Sequence, residues 1–314
     1  MSYNINSGYG QMLAHQLMVG PSFGRKFLVL GEGASDVAED RLQQIFGRGD
    51  PEGKLRLSDT MEEAFDLCEE GDTIFFRGNI REELTLGNSK SDITIVGVGN
   101  QPRHADSPWP TAATWKPPAS PTAATPLLKI RSQGVRLINF LFDAPVDAAA
   151  VELERNAESG ESEHDGSHFS AFGMRFVGGQ SGIEIDGGAF NVRLQDNIFQ
   201  DLTNGILQLN TAVSVPLQWQ ILYNYFVNNT HHIRMDSVRS MLLGNVSGKF
   251  TTTGFNLHFA TQGANNAVHG NYLSGDYDAG YVAGTSDDWA GNYSMDVTSA
   301  EVGAEGLTIL APVA

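Results

Sequence analysis

Two short patterns alternate through the second half of this chain, and together they restrict the fold more than any other feature. The first pattern occurs as DNIF, YNYF, GNVS, GNYL and GNYS. It places asparagines at Asn197, Asn224, Asn245, Asn271 and Asn292, spaced by 27, 21, 26 and 21 residues. The second occurs as GIEID, GILQLN, HIRMD, GFNLHF and GYVAG. These begin at Gly182, Gly205, His232, Gly254 and Gly280, spaced by 23, 27, 22 and 26. Two independent markers sharing one irregular period identify a coil of structural repeats. Weaker copies, RLINFLF with AAVELE and then GMRFVGG, carry the pattern back to about residue 136. The variable period does not suit a leucine-rich repeat. It suits a single-stranded parallel β-helix, whose turns absorb insertions, better than a β-sandwich. Parallel crossovers make it right-handed.

In such a coil each short strand lies about 4.8 Å from its equivalent one rung away. Alternation predicts a core of Ile183, Ile185, Leu207, Leu209, Ile233, Met235, Phe255 and Leu257. It predicts outward columns Glu152, Glu184, Gln208, Arg234, Asn256 and Glu154, Asp186, Asn210, Asp236, His258. The repeated asparagines fit tight bends, since Asn tolerates left-handed backbone. Their stacked side chains can also hydrogen-bond along the axis.

Further upstream, SDTMEEAFDLCEEGDTIFF reads as a helix followed by a strand. Asp59 is the expected cap with Glu62 at the third helical position. Met61, Ala64, Phe65 and Cys68 form the apolar stripe, and Gly71 ends the segment. TIFF, ELTL and ITIVGVG are the first strands. A helix here would cover the open end of the stack, which otherwise exposes core and unpaired edges. Residues 100–126 contain seven prolines and read as a long extended loop. Trp109 and Trp115 within it can stack on a sugar or pin the loop to the domain.

Residues 1–35 read as an irregular arm. DVAEDRLQQIFG follows as a short helix. The expected division is an attachment region at 1–58 and the β-helix at 59–314, with loops at 100–126 and 154–168. Met12, Leu13, Leu17, Met18 and Phe23 are the arm's apolar candidates for contact with a partner. The arm lacks the basic start and apolar stretch of a secretory signal. No apolar run reaches the roughly 18 residues of a membrane span.

The stretch TMEEAFDLCEEGDTIFFRGNIREELTLGNSKSDITIVGVGN resembles the opening of pectin-lyase-like β-helix proteins. The match rests on Gly71-Asp72-Thr73-Ile74, an acidic turn at Glu82 or Glu83, and Ile93 to Gly99. It is specific for fold and not for function. The catalytic stretches of pectin methylesterases, polygalacturonases and pectate lyases have no counterpart here. YGQMLAHQLMVGPSFGRKFLVLG, with the D-P-E-G-K turn and capped coil behind it, resembles virion proteins of tailed bacteriophages. That resemblance implies location in the virion, capsid or tail proteins as partners, and a homo-oligomer such as a trimer.

The net charge of −17 argues against nucleic acid and acidic polysaccharide as partners. Cys68 is the single cysteine, so no intrachain disulfide forms, and it reads as a small buried residue. Asp186 and Asp236, two rungs and so roughly 9–10 Å apart, approach the spacing of an inverting glycosidase pair. His258 one rung further could tune Asp236. The plainer reading of these columns is a solvated face that keeps the coil soluble. His164, Asp165 and His168 sit in an acidic insertion, and His231 and His232 point to opposite faces. No metal or other cofactor is expected. The leading expectation is a non-enzymatic virion protein that decorates or cements the particle through its arm. The alternative is a tailspike-like glycan binder or depolymerase acting on a host glycan.

Overall fold

The computed structural model describes residues 24–34, 55–99, 113–154, 166–186, 188–209, 215–248, 253–256, 264–273, 284, 286–294 and 308–309. They form a single-stranded parallel β-helix with the right-handed sense general to parallel crossovers. From Thr94 to Asn256 each rung supplies one short strand to each of three sheets. Sheet I runs through Thr94–Gly97, Arg136–Ile138, Ser170–Phe172, Arg193–Gln195, Gln220–Leu222, Met241–Leu243, Ala267–His269 and Asp288–Ala290. Sheet II runs from Ala113–Trp115 through Ile198–Gln200 and Tyr225–Val227 to Asn292–Ser294. Sheet III runs from Leu84–Leu86 through Ala149–Glu154, Ser181–Asp186, Asn204–Gln208 and His231–Arg234 to Thr253–Asn256. At the far end, Thr308–Ile309 pairs antiparallel with Asn292–Tyr293.

The coil starts earlier than residue 59. Lys26–Leu30 pairs in parallel with both Leu55–Ser58 and Thr73–Ile80, so both segments extend sheet I and are not part of a separate arm. The anchor at this end is Arg25, whose guanidinium pairs with the buried Asp72 at 2.8 Å. The helix spans Met61–Leu67. Its cap is Thr60, not Asp59: Glu63 N donates to Thr60 Oγ1 at 3.0 Å, and Asp59 N donates to Glu63 Oε2 at 2.9 Å. The cap is thus one residue later than expected, and the Glu63 carboxylate reaches past it to Asp59. Glu82 reaches the same helix start and accepts from Met61 N and Glu62 N. Met61, Ala64, Phe65 and Cys68 are buried as the stripe predicts.

The repeated asparagines are a continuous internal ladder. Asn197, Asn224 and Asn245 each donate both N and Nδ2 to Oδ1 of the next asparagine, at 2.8–3.1 Å, and Asn271 does the same to Asn292 at 2.9 Å. Each Nδ2 also donates to a backbone carbonyl, those of Ala171, Leu194, Ile221, Leu242 and Val268 in turn. All five are fully or almost fully buried. The left-handed residue at this bend is not the asparagine. It is the residue before it: Asp196, Tyr223, Gly244, Gly270 or Gly291. Asparagine recurs because its amide satisfies a buried corner, not because it tolerates positive φ.

Beside the ladder, sheet II points an aromatic column inward. Trp115, Phe142, Phe176, Phe199 and Phe226 stack with centroids 4.8–5.7 Å apart. This column requires thin backbone opposite it. A Cβ at Gly205 would lie 2.5 Å from His232 O and 3.1 Å from the Phe226 ring. The phenylalanine column gives way to Ser247 on the next rung. There His232, which follows Gly182 and Gly205 in register, brings its ring to 5.8 Å from Phe226.

Two further expectations are corrected. Sheet III holds Ile206, not Leu207, against Ile183 and Ile233, so this rung is shifted by one relative to the alternation. Leu207 takes the outward place between Glu184 and Arg234, and Leu209 follows it as a partly exposed residue. The proline-rich stretch contains a strand, Ala113–Trp115, where a loop was expected. Its residues 100–112 lie outside the described residues.

Candidate functional site

The outward face of sheet III carries the richest chemistry among the described residues. Lys129, Glu152 and Glu184 are in register across three neighbouring strands, and Glu154 and Asp186 are in register beside them. Alternation puts all five on one side of the sheet. Lys129 Nζ lies 2.9 Å from Glu154 Oε1 and 3.7 Å from Glu152 Oε1, while Arg131 Nε donates to the other Glu154 oxygen. The Glu154 end of the cluster therefore carries two cations.

The protonation equilibria follow this asymmetry. Burial works against the Glu154 carboxylate, but hydrogen bonds from Arg131 and Lys129 outweigh it and lower its pKa. Burial raises the Glu152 pKa, and Lys129 offsets this only in part. Burial also raises that of Glu184. Ser181 opposes the shift and the nearby Asp186 adds to it. A raised carboxylate beside a second one is the arrangement from which a general acid can be made. No group of three or more His, Cys, Asp or Glu among the described residues has metal-binding geometry.

Of the candidates drawn from the sequence, Asp186, Asp236 and Trp115 fall within the described residues. Asp186 ends the strand Ser181–Asp186, whereas Asp236 lies two residues beyond the end of His231–Arg234. Asp236 is 8% exposed, and its N–H donates to Gln208 Oε1 at 2.7 Å. His258, Asn210, His164 and Asp165 lie outside the described residues. So do Trp109 and the arm residues Met12, Leu13, Leu17, Met18 and Phe23. Trp115 cannot stack on a sugar. It is fully buried, with Nε1 donating to Glu82 O and its ring stacked on Phe142. His168 is exposed at a left-handed corner, edge-on to Phe190. His231 is partly exposed and His232 buried, in keeping with opposite faces.

Lys129 and Arg131 went unrecognised in the sequence. Their signal was present: L-K-I-R, V-E-L-E and I-E-I-D occupy the same outward positions on successive rungs.

Comparison with known proteins adds shape alone. No family model matches the chain, and no curated protein matches it. Among solved structures, pectate lyase Pel9A is similar with a TM-score of 0.47 and 11% identity, over 92% of this chain and 80% of that one. ORF18 of Geobacillus virus E2 is similar with a TM-score of 0.37 and 11% identity, over 87% of this chain and 66% of that one. Both are distant likenesses. No residue role is transferred from either.

Proposed function

We propose that this chain is a non-enzymatic structural protein of a bacteriophage particle, which decorates or cements the capsid or another part of the virion through its N-terminal residues. The observation that carries the reading is the burial of Asp236, which at 8% exposed has little access to a substrate or to a water shared with a second acid. The rest of the shaft is braced internally by the asparagine ladder and the aromatic stack, as suits a rigid element of an assembly. The resemblance of the N-terminal sequence to phage virion proteins supports attachment through that end. Deleting residues 1–23, which leaves the Arg25–Asp72 anchor in place, is expected to abolish co-sedimentation with particles. Normal decoration by the truncated chain overturns the proposal.

A second reading has its own support in the raised pKa of Glu184. On a tailspike-like depolymerase Glu184 would be the acid and Asp186, two residues along the same strand and on the same face, its carboxylate partner. Glu184→Gln is then expected to lower release of reducing ends from host polysaccharide by about 10²–10⁴-fold. Absence of any product from the unaltered protein removes this reading.

A further inference from the structure

Tyr225, Val246, Tyr272 and Tyr293 are in register on successive strands of sheet II and point outward, opposite the buried aromatic column. Tyr225, Tyr272 and Tyr293 are 44%, 47% and 42% exposed. Tyr223, at the corner joining sheets I and II, is 55% exposed, and Met241 on the flanking sheet is 45% exposed. The parallel outward column on sheet II continues Gln200, Val227 and Gly248. From Ile198 onward these two columns contain no charged residue among the described positions, in a chain whose net charge is −17. Taking ~200 Å² per aromatic side chain, the four tyrosines leave roughly 400 Å² uncovered, about half of what one partner contributes to a standard interface.

We propose that this face of sheet II packs against a second copy of the same chain. Three observations choose that occupant. The first is charge. Acidic copies repel one another over about 8 Å at physiological salt, and they can approach where each presents an uncharged strip. The second is the aromatic geometry. Tyr272 and Tyr293 stack on each other at 5.4 Å, and Tyr223 lies so close over Gly244 that a Cβ there would come within 2.6 Å of its ring. Tyr272 and Tyr293 thus each have one ring face covered by the other, and the strip presents a packed aromatic surface of the kind enriched at protein interfaces. The third is spacing. Side chains repeat along this face once per rung, about 4.8 Å, and an identical coil is a surface of the same repeat. This inference does not depend on the function proposed above.

Sedimentation velocity on the full chain tests it. The unaltered protein is expected to self-associate at micromolar concentration. Tyr225→Asp with Tyr272→Asp is expected to weaken association by at least ~100-fold, as loss of two central aromatic contacts does. Tyr225→Phe with Tyr272→Phe is expected to leave it within about threefold, on the order of the few tenths of a kcal/mol separating exposed aromatic residues. Amide hydrogen exchange on the unaltered chain needs no variant: protection over 225–227 and 272–273 is expected to rise with concentration. A chain monomeric to about 100 μM overturns the proposal. So does an oligomer with unchanged exchange over those segments, or one the aspartates leave intact. A monomer in which dextran protects those segments assigns the face to neutral glycan and overturns it as well.

Discussion

Asn245→Ala is expected to destabilise the protein by about 3–5 kcal/mol, the upper range for single substitutions. The cost comes from groups left behind, not from lost volume. Asn245 Oδ1 accepts from both N and Nδ2 of Asn224, and its own Nδ2 donates to Ile221 O and to Asn271 Oδ1. Alanine leaves the Asn224 N–H and the Ile221 carbonyl buried without those partners. Each such group costs roughly 1–3 kcal/mol. Asn245→Asp separates the two functions of the amide. Its carboxylate still accepts from Asn224, yet it faces Asn271 Oδ1 and the Ile221 carbonyl with no hydrogen to offer. It is therefore expected to be at least as damaging at neutral pH. Urea denaturation of both variants measures this. A loss under about 1 kcal/mol for Asn245→Ala would mean that water replaces the amide in the corner.

The same ladder shows what was legible in the sequence. Asparagine at near-constant intervals can be read directly as a stacked column, because one amide that both donates and accepts along an axis needs identical neighbours. The residue before it was equally visible as small or polar, yet Tyr223 breaks that rule, and the corner conformation is assigned only once the backbone is seen. The shift at Ile206 has a different cause. Alternation in G-I-L-Q-L-N favours Leu207 and Leu209 inward, but a slip of one residue exchanges the two faces, and Ile206 and Gln208 take the places in line with Ile183 and Ile185. Register against Ile183 and Ile233 resolves it. The carboxylates of sheet III were visible as types and positions. The cations that meet Glu152 and Glu154 are Lys129 and Arg131 from the preceding rung, a contact that only the coil creates.

Acid is expected to weaken the fold through His232. Its ring is 3% exposed and packs near Phe226. Asn229 Nδ2, which can only donate, lies 3.2 Å from Nδ1, and the Asn229 amide is oriented by its bonds to Phe199 O and Leu202 N. Nδ1 must therefore accept, and the ring's other nitrogen donates to the Gly248 backbone. Burial, with a smaller repulsion from His231, holds the pKa down at about 4, against 6.5 for the free side chain. The sign follows from which state takes the proton first. Above pH 6.5 both states are neutral and the full stability is present. Between 6.5 and 4 the unfolded chain protonates while the folded one does not, so stability falls with decreasing pH, by up to about 1.4 kcal/mol per pH unit. The accumulated loss is about 3 kcal/mol by pH 4, below which the dependence on this group levels off. His231, lowered by burial and by Arg234, acts in the same direction, whereas the raised Glu152 and Glu184 oppose it. The comparison that isolates His232 is therefore the difference between the unaltered protein and His232→Gln, which cannot take a proton. Urea midpoints from pH 7 to 4.5 are expected to fall more steeply for the unaltered protein. Parallel pH profiles would show that the acid sensitivity lies in other groups.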